Sequence, residues 1–151
     1  MNKPEIREEI ESLYDIDFFE WTQTASEDLL RGRISRSDIE HIAEEIADMG
    51  KRDRREVESR ARVLIMHLLK WAYQPERRVG STWLRTIKTQ RLEIKRNLRD
   101  SPSLKNAIPQ ALQRIYREAC DLAVDEMGGK VSFPRACPFT PEQILSDWLP
   151  D

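Results

Sequence analysis

Apolar residues recur at helical spacing along almost the whole chain. After Asp17, the run "FFEWTQTASEDLLRGR" places Phe18, Trp21, Ala25 and Leu29 on one face, and Gly32 offers a left-handed stop, which predicts a first helix. Upstream, "PEIREEIESLYD" has the pattern of a short amphipathic turn or two, with Pro4 at the first helical position. After "SRS", Ile39, Ile42, Ile46 and Met49 form an apolar stripe that Val57, Ala61, Leu64, Leu68 and Ala72 continue in phase. One helix over 37–73 would be about 55 Å long, against a diameter of roughly 40 Å for a compact domain of this size. A break at Gly50, just before the charged "KRDRRE", therefore predicts two helices, 37–49 and 52–73, with a single long helix as the alternative.

From Ala61 to Tyr73 the pattern is apolar almost all round, with a narrow polar stripe at Arg60, His67, Lys70 and Gln74. Such a helix belongs at the centre of a bundle, and Pro75 ends it. A basic amphipathic helix follows over 82–99, with Trp83, Leu84, Ile87, Ile94 and Leu98 on one side and Arg91 at the apolar margin. Pro102 closes it, and Pro109 fits the first turn of a further helix running to Met127, because an interior proline would cost about 3 kcal/mol. The tail is rich in proline, and Thr140, Pro141 and Gln143 match an N-cap, a first-turn proline and a capping box for a short last helix. No stretch alternates in the manner of a strand. The expectation is all-α: a single-domain bundle, residues 1–151, of about five main helices with a proline-rich C-terminal segment and short final helix.

Composition adds bounds. The 151 residues, 39% of them hydrophobic, suffice for one core. No run reaches the roughly 18 apolar residues of a membrane span, and the opening residues lack a secretory signal, so a cytoplasmic protein off the membrane is expected. Cys120 and Cys137 have neither CxxC spacing nor a metal-ligand context, which makes them half-buried thiols. Charge is segregated: residues 1–50 carry 5 basic and 14 acidic side chains, and residues 77–99 carry 8 and 1, within a net charge of −2.

Two constellations have chemical content. His41, Glu44, Glu45 and Asp48 share one helical face, and with His67 they are the candidates for a metal site; as ordinary structure, His41 is a polar residue on a solvated acidic face. The order does not match a Glu-x-x-His pair, since Leu64 stands three before His67. His67 as a structural residue would give a hydrogen to a carboxylate such as Glu44, Glu45 or Asp48. The second constellation is basic: Arg77 and Arg78 beside Trp71, Tyr73 and Trp83, then Arg85, Lys88, Lys95, Arg96 and Arg99 along the next helix. Its functional reading is a partner-docking or phosphate-binding patch; its plain reading is a helix corner locked by arginine stacked on aromatic rings, with a solvated face beyond. No phosphate loop, nucleophile elbow, H-E-x-x-H pair or cysteine-histidine dyad is found, so neither a catalytic residue nor a cofactor is assigned.

The ordered segments "LYDIDFFEWTQTASEDLLRGR", "DIEHIAEEIADMGKRDRREVESR", "HLLKWAYQPERR", "STWLRTIKTQR", "LRDSPSL" and "CPFTPEQILSDWLP" resemble the bacterial family known as domain of unknown function 29, DUF29, from about Leu13 to Pro150. The resemblance implies an all-helical cytoplasmic protein of bacterial source. That family has no assigned activity, so no catalytic residue carries over. Charge segregation and the missing motifs favour an interaction or regulatory module that binds another protein, through the basic helix 82–99 or the acidic helix 37–49. A metal-dependent enzyme using His41 and His67 is the alternative, and nucleic-acid binding by the basic stripe is a third reading. Apolar residues left exposed on the terminal helices would support a homo-oligomer.

Overall fold

A computed structural model describes residues 12–151, all-helical throughout apart from turns and the C-terminal segment. Six α-helices follow in order: α1 Leu13–Ile16, α2 Phe18–Leu30, α3 Arg36–Tyr73, α4 Trp83–Asp100, α5 Ala107–Glu126 and α6 Pro141–Leu145. Single turns of 3₁₀ helix at Pro75–Arg77 and Pro102–Asn106 join α3 to α4 and α4 to α5. The helical turn expected at Pro4 lies outside the described residues. Contacts divide the chain into two units, Met1–Met49 and Gly50–Asp151, and α3 contributes residues to both.

The expected break at Gly50 is not made: α3 is one helix of 38 residues. A helix of that length exceeds the diameter of one compact body of this size, but the residues of α3 are shared between two compact units. Gly50 keeps a helical backbone with open space around it, and an interior glycine costs only about 1 kcal/mol relative to alanine. The charged run that looked like a linker instead supports the helix through i,i+4 pairs, Arg54 with Glu58 at 3.1 Å and Glu56 with Arg60 at 2.9 Å.

In the first unit, the Asp17 carboxylate caps α2 by accepting from the Glu20 amide at 3.0 Å. Gly32, at φ +66°, stops that helix in the left-handed conformation, with the Arg33 amide bonded back to the Asp28 carbonyl. Ser35 then caps α3, its hydroxyl accepting from the Asp38 amide at 3.1 Å. The Asp38 carboxylate accepts from the indole N–H of Trp21 at 2.8 Å and from the Ser35 hydroxyl at 2.8 Å, so the start of α3 holds the first turn of α2. Both bonds to the carboxylate favour the ionised acid, and its pKa is lowered accordingly. Tyr14 of α1 stacks on His41 at 4.0 Å between ring centres and donates its hydroxyl to Glu45 at 2.6 Å. Among the described apolar residues of this unit, only Trp21 and Ala25 are buried.

The second unit holds the large core. Residues 57–70 of α3 supply its centre, with Val57, Ala61, Leu64, Ile65, Leu68 and Leu69 wholly buried, as the all-round apolar pattern predicts. Ile87 and Ile94 of α4, Ile115 and Ala119 of α5 and Ile144 of α6 pack into the same cluster. Each fully buried large aliphatic side chain contributes about 1.5–3 kcal/mol.

Pro109 sits in the first turn of α5, and α6 carries the expected capping box between Thr140 and Gln143. The segment between these helices has no backbone ladder, so its carbonyls need donors from elsewhere. The Tyr116 hydroxyl donates to the Pro134 carbonyl at 2.6 Å and the Gln113 amide to that of Arg135 at 2.9 Å. Arg91, only 4% exposed, donates to the carbonyls of Ile144 at 2.9 Å, Gln143 at 3.0 Å and Trp148 at 2.7 Å. Arg78 donates to the Trp71 carbonyl at 2.7 Å and the Asp151 carbonyl at 2.8 Å, with its guanidinium over the Trp71 ring. Lys70, from the stripe read as polar, is nearly buried, paired with Glu126 and set over the Trp83 ring. Burial, and then the Arg77 charge, holds its pKa down.

Replacing Arg91 by Met takes a donor from three carbonyls, of which that of Gln143 keeps the Ser146 hydroxyl, and urea unfolding is expected to show a loss of about 2–4 kcal/mol, with new protease cleavage after residue 137. Arg91→Lys should recover only part of that, because an ammonium cannot fork across three acceptors. In the first unit, the bond to Glu45, followed by burial, pushes the Tyr14 phenol from its ordinary 10.0 up to about 12. The folded form keeps a proton that the unfolded form loses near pH 10, so this contribution is complete below pH 10 and vanishes as pH rises through about 12. Burial also raises the Tyr116 phenol, so phenolate absorbance should show two tyrosines titrating late in the intact protein, and one of them, Tyr14, shifting back toward 10 in Glu45→Gln.

Candidate functional site

The histidines are placed by ordinary packing. His41 lies in the first unit, flat against Tyr14 and edge-on to Trp21 at 6.1 Å, with its Nδ1 buried and without a hydrogen-bond partner. Glu45 is occupied by the Tyr14 hydroxyl. His67 lies in the second unit and donates from Nδ1 to the Val63 carbonyl at 2.8 Å, one turn back on its own helix. That bond fixes the proton on Nδ1 in the neutral ring, and burial lowers the pKa, so neutrality is favoured. The bond expected to a carboxylate of Glu44, Glu45 or Asp48 is thus made to a backbone carbonyl. Among the described residues, no three His, Cys, Asp or Glu side chains are grouped as a metal ion requires.

The basic candidates divide into two sets. Arg78 is spent on structure, stacked on Trp71 and bonded to two carbonyls. Arg77, Arg85, Lys88, Lys95, Arg96 and Arg99 are exposed. Lys95 lies 3.8 Å from Asp147, and Lys95, Arg96 and Arg99 border a depression of about 390 Å³ with Leu92 and Glu93. A glutamate in that depression and an aspartate at its edge dilute the positive field that an anion would meet.

The sequence reading missed two other features. One is a cleft of about 400 Å³ beside α5, where Tyr116, Cys120 and Asp121 face Phe133 and Arg135. Burial raises the Cys120 pKa, so the group there is a protonated thiol and not a thiolate nucleophile.

The other feature belongs to the first unit. Between α2 and the start of α3 lies a cleft of about 230 Å³, floored by Trp21 and Ala25, with Leu29 and Ile46 at its lips and Ile42 and Glu45 along its wall. The apolar surface runs on beyond it. Of the large apolar side chains exposed among the described residues, nine lie before Gly50 and four after it, although the first unit is the smaller. Leu30 is 87% exposed, Phe19 73%, Ile46 63% and Met49 60%. The signal was present in the sequence as the stripe Ile39, Ile42, Ile46 and Met49, but periodicity does not tell whether a stripe finds a neighbour.

The unit is also acidic: from Leu13 to Met49 there are ten Asp and Glu residues and three arginines. Glu45 lines the cleft, and Glu44 and Asp48 stand within one turn of it on α3. The arrangement can hold apolar side chains in its floor and cations at its margin. No helix among the described residues is long and apolar enough to cross a membrane.

No curated protein and no solved structure matches the chain. A family model does, over residues 13–149, and its description is "Domain of unknown function DUF29". That span takes in both units, from α1 through the segment that Arg91 holds, and the protein is therefore a member of the DUF29 family.

Proposed function

We propose that this DUF29 protein is a protein-binding module, and that its contact face is the apolar surface of the first unit. The observation that carries this reading is the concentration of exposed large apolar side chains on a unit whose described residues include only two buried apolar ones, Trp21 and Ala25. A pair of helices has one line of mutual contact, and each helix keeps an apolar stripe wider than that line. A third element normally covers the remainder; here Leu29, Leu30, Ile46 and Met49 stay in water. Apolar surface of this extent is costly to leave bare, and in a folded protein it marks a site of association. The larger unit has its stripes covered by its own helices and C-terminal segment, which fits a supporting role.

Of the two faces considered from the sequence, the acidic helix 37–49 is favoured over the basic helix 82–99, whose outward side chains are charged with Leu92 as the exposed apolar exception. A photo-crosslinking residue placed at position 46, or at 92 as the comparison, tests the assignment in cells of the natural host. Discrete protein adducts are expected from position 46, absent from position 92, and lost when Leu29→Glu is added. Equal labelling from both positions, or adducts that survive Leu29→Glu, would remove this face from the function.

A further inference from the structure

We propose that the cleft of the first unit takes up one face of a basic amphipathic helix of another protein. This rests on the reading of that unit as a binding face and names the chemistry of its partner. The cleft, at about 230 Å³, is smaller than the ~300–1,000 Å³ usual for small-molecule pockets, and suits one or two inserted side chains. Its length is supplied by two stripes, Trp21, Ala25 and Leu29 on α2 and Ile39, Ile42, Ile46 and Met49 on α3, both at helical spacing. A groove between two helices with apolar residues at such intervals accepts a third helix, whose anchors at i, i+3 or i+4, and i+7 fall into it.

Charge selects among occupants. The acidic margin, with Glu45 lining the cleft, Glu44 and Asp48 within a turn of it on α3, and ten acids against three arginines from Leu13 to Met49, repels nucleic acid and anionic lipid alike. A second copy offering the same face would set two acidic rims against each other, at the like-charge cost that interfaces avoid. A helix whose apolar stripe is flanked by lysine and arginine satisfies floor and margin together. Its cations would meet the carboxylates at the rim, where solvent lets them steer approach and orientation more than they add affinity.

The probes are three synthetic helices of equal length: one with a leucine stripe and lysines elsewhere, one with the same leucines and glutamates, and one with the lysines but glutamine in place of leucine. Fluorescence anisotropy with the full chain is expected to show binding of the first alone, weakening roughly tenfold or more on going from low to high salt. Ile46→Glu and Glu44→Lys should each weaken it about tenfold or more, the first by putting a charge on the apolar lip and the second by reversing the rim. Both positions are exposed, and circular dichroism should show unchanged helicity.

Binding of the glutamate helix as tightly as the lysine one would overturn the assignment, and so would equal binding of the leucine-free helix, which shows charge attraction without the groove. Self-association that Ile46→Glu abolishes would make a second copy the occupant. Binding seen only after removal of residues 1–11 would give the groove to the chain's own N-terminal segment. Crosslinks from position 46 that persist while all three helices fail would leave the binding face standing and refute its basic partner. Loss of both would refute the face itself.

Discussion

A guanidinium withdrawn from water must find acceptors, and Arg91 finds them in the backbone of the C-terminal segment. Arginine cannot shed its proton under ordinary conditions, so the charge stays and the geometry has to answer it. Carbonyls of Gln143, Ile144 and Trp148 do so, at the end of α6 and just beyond it, where no further helical turn supplies amide donors. The dependence runs both ways: the segment lacks donors and the arginine lacks acceptors. Ile144 and Phe139 are thereby held in the core, and the large unit closes around α3.

Among the described residues, the first unit shows no comparable closure. Its order comes from polar contacts that each join one helix to another, Trp21 to Asp38 and Tyr14 to Glu45, with the Tyr14 and His41 rings stacked between them. These set the geometry of α1, α2 and the start of α3 without covering their apolar stripes. Polar bonds are directional and short, so they fix position while leaving the broad apolar surface available. The two units thus divide the work, one burying its hydrophobic side chains and the other displaying them.

Much of this was legible in the sequence. Helix type, the Gly32 stop, the Thr140 capping box and the central position of Leu64 through Leu69 follow from periodicity and cap chemistry, because both act within a few residues. Gly50 misled because its cost in a helix is small and the ion pairs that follow sustain the helix through it. Arg91 and Lys70 were read only as marginal or polar positions, since the carbonyls and the ring that receive them lie far along the chain. The same limit hid the cleft. Ile46 looks alike in sequence whether a neighbour covers it or water does.

Leu30, Ile46 and Met49 take little part in holding the fold together, because they are largely in water already. Substitution there changes what the surface offers at small cost in folding free energy, in contrast to Leu64 or Ile94, where any change disturbs a filled core. The exposed apolar face and the filled core are therefore separate sets of residues, so the chemistry of that face can be rewritten while the packing of Leu64 and Ile94 stays as it is.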